Sequence, residues 1–116
     1  MHVSKELVAA SSPPIILSIL ARGDSYGYEI IKTVEQESRG MWNWSEGMLY
    51  PILHRMERSE WISSYWSKGS GARRRKYYRL EPAGLKALAE QREQWNQVHE
   101  ILDGLLPDET PKEGSE

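Results

Sequence analysis

Residues 62–80, ISSYWSKGSGARRRKYYRL, decide the fold. Ile62–Ser67 and Arg75–Leu80 alternate in the manner of two antiparallel strands, and the glycine-rich segment between them places a turn, so the stretch predicts a β-hairpin. Between Trp61 and Leu80 stand six positive charges (Lys68, Arg73, Arg74, Arg75, Lys76 and Arg79) and no acid, in a chain of 116 residues whose formal net charge is only −2. Like charges crowded at a hairpin tip repel one another and call for an anionic partner, for which nucleic-acid phosphate fits. The rest of the chain compensates: residues 1–60 carry a net −2 and residues 81–116 a net −6. The overall pI near 5.9 therefore conceals a local basic field.

Three helical segments precede the hairpin. Ser12-Pro13-Pro14 reads as a helix start, with proline at the first helical position, and the helix runs to about Arg22. Residues 4–11 form at most a preceding turn, because two prolines oppose a straight continuation. Gly23 ends this element, Asp24 and Ser25 offer the next cap, and Tyr26, Ile30, Thr33 and Val34 keep helical spacing until Gly40. A third helix runs from about Glu46 to Ser59, capped by Asn43 or Ser45. Its residues Leu49, Ile52, Leu53 and Met56 form one buried stripe. The opposite face holds Gly47, Pro51, His54 and Arg58, flanked by Tyr50 and Arg55; small, aromatic and basic groups without an acid suit close approach to a groove. Pro51 removes an amide and crowds the carbonyl of Gly47, which predicts a distorted first turn.

After the hairpin, Pro82 opens a long helix to Leu106. Leu88, Gln91, Trp95, Val98, Leu102 and Leu105 recur at spacings of three and four, widened by Leu85 and Ile101, which is more apolar surface than a terminal helix needs. Pro107 to Glu116 combines two prolines with four acids and one base, and reads as a disordered tail.

Composition narrows the function classes. The length fits one folded unit with a core. Zero cysteines exclude disulfides and thiolate metal sites. The longest apolar run, Ile15 to Leu20, is interrupted by Ser18 and too short for a membrane span, so a soluble cytoplasmic protein is expected. Histidines 2, 54 and 99 show no metal spacing, and Glu35, Glu37, Glu57 and Glu60 lie among basic neighbours without a nucleophile setting. Neither metal, cofactor nor catalysis is expected. Trp42, Trp44, Trp61 and Trp66 are expected to build a small aromatic core around the hairpin in a chain without phenylalanine.

Three helices, a two-stranded wing and a final helix give the order of a winged helix-turn-helix, mainly α with a small antiparallel wing. Tyr26-Gly-Tyr-Glu-Ile-Ile31, Gly47-Met-Leu-Tyr-Pro-Ile-Leu-His-Arg-Met56, Trp66, Arg74-Arg-Lys-Tyr-Tyr-Arg-Leu80 and Pro82-Ala-Gly84 occur in the order in which the PadR family of bacterial transcriptional regulators carries such motifs, and the chain resembles that family from about Ile15 to Leu106. Two departures are visible. Glu81 stands where a capping threonine is usual, and Met48 where a hydroxyl is common at the front of the third helix.

The resemblance implies a homodimeric regulator, a repressor, that binds double-stranded DNA at a near-palindromic operator. It implies a DNA-binding unit over residues 1–81 and a dimerisation helix over 82–106, followed by the 107–116 tail. The DNA contacts it assigns are Ser45, Gly47, Tyr50, Pro51, His54, Arg55 and Arg58 on or before the third helix, with Lys68, Arg73, Arg74, Arg75 and Lys76 on the wing. Leu88, Trp95, Val98, Leu102 and Leu105 form the dimer seam. With a single helix after the wing, the chain is similar to the shorter subfamily that includes a lactococcal multidrug regulator. There Trp95, with Gln91, Arg92, Asn96 and His99, would stack a planar aromatic effector at the dimer centre. The competing reading is a winged-helix module for protein contact, which would show exposed apolar anchors where this chain has Arg55, Arg58 and the Arg73–Lys76 run.

Overall fold

The computed structural model describes residues 3–68 and 74–107. Arg73, the glycine-rich turn at 69–72 and the tail from residue 108 onward lie outside the described residues. The elements run α1 (Lys5–Ala21), β1 (Ser25–Tyr26), α2 (Gly27–Glu37), α3 (Glu46–Arg58), β2 (Ile62–Ser67), β3 (Arg75–Leu80) and α4 (Pro82–Leu105). This is a mainly helical winged helix-turn-helix with a small antiparallel sheet and a long final helix.

Two helix starts differ from the sequence reading. α1 begins at Lys5 rather than at Pro13: Ser4 caps it, its hydroxyl accepting from the Leu7 amide at 3.1 Å, and the helix passes through Pro13 and Pro14. The two missing amides would have bonded the carbonyls of Ala9 and Ala10, which lie on exposed residues where water can satisfy them. The hydroxyls of Ser11 and Ser12 bond the Leu7 and Val8 carbonyls one turn back. The second difference lies at Asp24 and Ser25, which do not cap α2. Ser25 and Tyr26 instead form β1, paired antiparallel with Tyr78 and Tyr77. Ser25 donates to the Glu29 carboxylate at 2.7 Å, and Asp24 accepts from the Tyr65 hydroxyl at 2.6 Å.

The hairpin has the predicted limits. β2 and β3 pair from Ile62 opposite Leu80 to Ser67 opposite Arg75, and β1 adds to the other edge of β3, giving the order β1-β3-β2. Alternation along β3 sends Tyr78 into the core and Tyr77 to the outer face. The core gathers Ile16, Leu17 and Leu20 of α1, Ile30 of α2, the α3 stripe, and Ile62 and Tyr78 of the sheet. Burial is the main cause that lifts the Tyr78 hydroxyl pKa to about 12, so it stays neutral where the protein works.

α4 is anchored only at its start. Gly84, Ala87 and Leu88 are buried, and from Arg92 to Pro107 every residue is exposed. Glu81 does not cap the helix, as its type foretold; its carboxylate accepts from the Ser63 hydroxyl instead. No described helix is long and apolar enough to cross a membrane. The anchoring depends on Gly84, where an added Cβ would strike the Trp61 carbonyl oxygen and lie 2.8 Å from Leu80 Cδ1. That carbonyl already accepts from the Glu81 amide at 2.9 Å and cannot swing away. Gly84→Ala is therefore expected to lower stability by about 2 kcal/mol and the melting temperature by roughly 10 °C, which a thermal melt followed by circular dichroism checks; an unchanged melt would mean that α4 does not need this close approach.

Candidate nucleic-acid interface

The sequence of α3 divides it into two faces. Leu49, Ile52, Leu53 and Met56 are buried at spacings of three and four, so residues half a turn away must face outward, and Gly47, Pro51, His54, Arg55 and Arg58 are all exposed. Ser45 is the cap, its hydroxyl accepting from the Met48 amide at 3.2 Å, while Asn43 donates to the Gly40 carbonyl. The helix runs on through Pro51, and the one carbonyl left without its amide belongs to exposed Gly47, where water can satisfy it. Tyr50 is half-buried rather than fully presented. Its ring lies against Gly27 at the start of α2, where a Cβ would come 2.9 Å from the ring carbon that bears the hydroxyl and closer still to the hydroxyl itself. Burial, and then the charge of Glu46, raise its pKa, so it is a neutral donor. The far end of α3 is tied to the wing by Ser64, which donates to the Glu57 carboxylate at 2.6 Å.

The wing carries cations on both faces. On the outer face Tyr26, Tyr77 and Tyr65 form a row across the three strands, with Tyr26 edge-on to Tyr77 at 5.2 Å and Tyr65 stacked on Tyr77 at 5.7 Å. The Arg75 guanidinium lies over the Tyr26 ring at 4.4 Å, and Arg79 over Tyr65 at 4.8 Å. On the other face Arg74 lies over Trp66 at 5.4 Å and Lys76 over Tyr78 at 5.7 Å. Arg79 also meets Asp24 at 3.7 Å, whereas no ion pair among the described residues involves Arg74, Arg75 or Lys76. Lys68 is exposed at the end of β2, and Arg73 is outside the described residues. The Tyr26–Tyr77–Tyr65 row and its link to Asp24 were not foreseen; alternation marks Tyr77 as outward, but β1, which supplies Tyr26, is too short to leave a pattern.

The tryptophans do not share one core around the sheet. Trp44 is buried and Trp61 half-buried, Trp42 faces α1 and α4, and Trp66 is 56% exposed. Along α4, Leu88 belongs to the protomer core, and the exposed seam starts at Trp95 and continues through Val98, Leu102 and Leu105, with Ile101 beside it. Arg92 and Trp95 line an apolar groove of about 510 Å³ with Pro14, Ile15, Ile19 and Trp42. Gln91 is half-buried, and Asn96 and His99 are exposed, His99 lying 3.3 Å from Asp103. Among the described residues no group of three or more histidines and carboxylates is placed to hold a metal ion.

Comparison with known proteins agrees with this geometry. Residues 16–90 match the sequence profile of the transcriptional regulator PadR-like family. A transcriptional regulator from Clostridium thermocellum is 32% identical and superimposes with a TM-score of 0.80, covering 89% of this chain and 100% of that one. A PadR family transcription regulator from Clostridium difficile is 35% identical, with a TM-score of 0.72 and coverage of 84% and 99%. The Escherichia coli transcriptional regulator YqjI is 35% identical over 88 residues, which are 76% of this chain and 41% of that protein.

Proposed function

The chain belongs to the PadR-like family of transcriptional regulators, which are not enzymes, and from that premise we propose that it is a dimeric repressor of double-stranded DNA. One observation carries the reading: α3 exposes Gly47, Pro51, His54, Arg55 and Arg58, and the wing carries Arg74, Arg75 and Lys76, which have no ion-pair partner among the described residues. α3 enters a major groove of the operator, and the wing grips the adjoining backbone. Gly47 and Pro51 let the helix approach closely, while His54, Arg55 and Arg58 reach base edges or phosphates.

The dimer is supported by what α4 leaves uncovered. A helical arm of this length without packing is marginal in water, and its Trp95, Val98, Leu102 and Leu105 stripe gains a partner when two copies meet around a two-fold axis. Two α3 helices then face successive turns of a near-palindromic operator. The effector is a planar aromatic molecule stacked on Trp95 at the dimer centre, beside Gln91, Arg92, Asn96 and His99, and its binding releases DNA; the apolar groove that Arg92 and Trp95 share with Trp42 adjoins that place.

Binding of the purified protein to its own upstream DNA, followed by fluorescence anisotropy with a scrambled control, tests the reading. If each subunit neutralises about four phosphates, log K falls against log salt with a slope of about −7. Arg74→Ala with Arg75→Ala flattens that slope by about 3 to 4; unchanged affinity would remove the wing from the mechanism. For the dimer, Leu102→Asp is expected to give a monomer by light scattering, and retention of the dimer mass would move the interface off α4. Trp95→Ala is expected to abolish binding of a planar aromatic dye, whereas unaltered dye affinity would return Trp95 to packing alone.

A further inference from the structure

Each described cation of β3 and its approach rests on an aromatic ring: Arg74 on Trp66, Arg75 on Tyr26, Lys76 on Tyr78 and Arg79 on Tyr65. The register explains the pattern. Tyr26 is opposite Tyr77, so Arg75 is its diagonal neighbour; Trp66 is opposite Lys76, so Arg74 is diagonal to it on the same face. Among the described residues only Arg79, the residue furthest from the tip, has a carboxylate partner as well, in Asp24.

The two kinds of partner differ electrostatically. A carboxylate fixes a guanidinium but cancels its charge at a distance, whereas an aromatic face attracts it through the ring quadrupole and leaves the positive charge intact. An unheld arginine must be ordered when it meets a phosphate, and that lost freedom opposes binding. A ring-held guanidinium has surrendered much of that freedom in advance.

We propose that Tyr26 and Trp66 are positioning residues for DNA binding, their rings holding the Arg75 and Arg74 guanidiniums at the wing without neutralising them. This rests on the wing meeting DNA phosphates. Tyr26 thereby has a second role: it ends β1 against β3, immediately before α2, so the start of the helix-turn-helix and the charge geometry of the wing are set by one side chain.

The test uses the full chain and a labelled mixed-sequence duplex of about three helical turns, titrated over a salt series. Tyr26→Leu and Trp66→Leu are each expected to weaken binding about threefold at each wing, the size of an exposed cation–π contact, or roughly tenfold for a dimer. The salt slope should not change, because the number of charges is the same. Tyr26→Phe and Trp66→Tyr, which retain a ring, are expected to restore affinity. In an Arg75→Ala background, Tyr26→Leu should cost nothing further.

Wild-type affinity for both leucine variants would overturn the proposal. So would an equal loss in the ring-retaining variants, or a Tyr26→Leu loss that persists without Arg75, since either would place the effect in folding. Trp66 guards against that ambiguity, because it is exposed and its replacement leaves the core untouched. If the wild type shows no salt-sensitive binding, the DNA reading itself fails; if Arg75→Ala binds as the wild type does, the wing leaves the mechanism and the proposal falls with it; loss on removing the arginine but not the ring sinks only the positioning role.

Discussion

The burial of one stripe on α3 is the constraint from which the rest of the molecule follows. Leu49, Ile52, Leu53 and Met56 pack against α1, α2 and the sheet, and a rigid helix of 3.6 residues per turn then has no choice about what its other side displays. Gly47, Pro51, His54, Arg55 and Arg58 face outward as a geometric result of that packing. The same constraint explains why Pro51 is harmless: its missing hydrogen bond falls on the exposed side, where water replaces it.

The sheet completes the surface by a different physical route. Acids elsewhere in the chain outnumber bases, yet among the described residues only Asp24 pairs with a wing arginine. Aromatic rings occupy the places that carboxylates take in an ordinary salt-bridged surface. The field of the tip is preserved, and the hairpin is stiffened by side-chain pairs on both faces. Arg79 and Asp24, with the Tyr65 hydroxyl, belong to the base of the wing, where fixing the strands matters more than projecting charge.

α4 shows the opposite balance. Its first turns are held by the close approach of Gly84 to the Trp61 carbonyl and by burial of Ala87 and Leu88, and beyond the groove that Arg92 and Trp95 share with α1 and Trp42 the helix is exposed. An apolar seam in water is unfavourable, which is the physical ground for proposing a partner for this helix. The groove between α1, Trp42 and Trp95 adjoins that seam.

The sequence by itself narrowed the α3 cap to Asn43 or Ser45, of which the structure uses Ser45, and it determined the elements whose periodicity is strong: the limits of β2 and β3, the buried stripe of α3, the apolar positions along α4, and a local basic field that the net charge hides. It determined these because each rests on neighbours three, four or two residues apart, within reach of a pattern. Tertiary structure decided the remainder. Whether Pro13 and Pro14 start a helix or sit inside one depended on which carbonyls face water. That Ser25 and Tyr26 form a strand rather than a cap depended on the free edge of β3, more than fifty residues away in the chain. Leu88 is buried in the protomer core rather than lying on the seam, and Trp66 is exposed rather than in the core, which only packing between distant elements decides. The pairing of each wing cation with a ring required three strands in register, a relation between distant residues that no local spacing encodes.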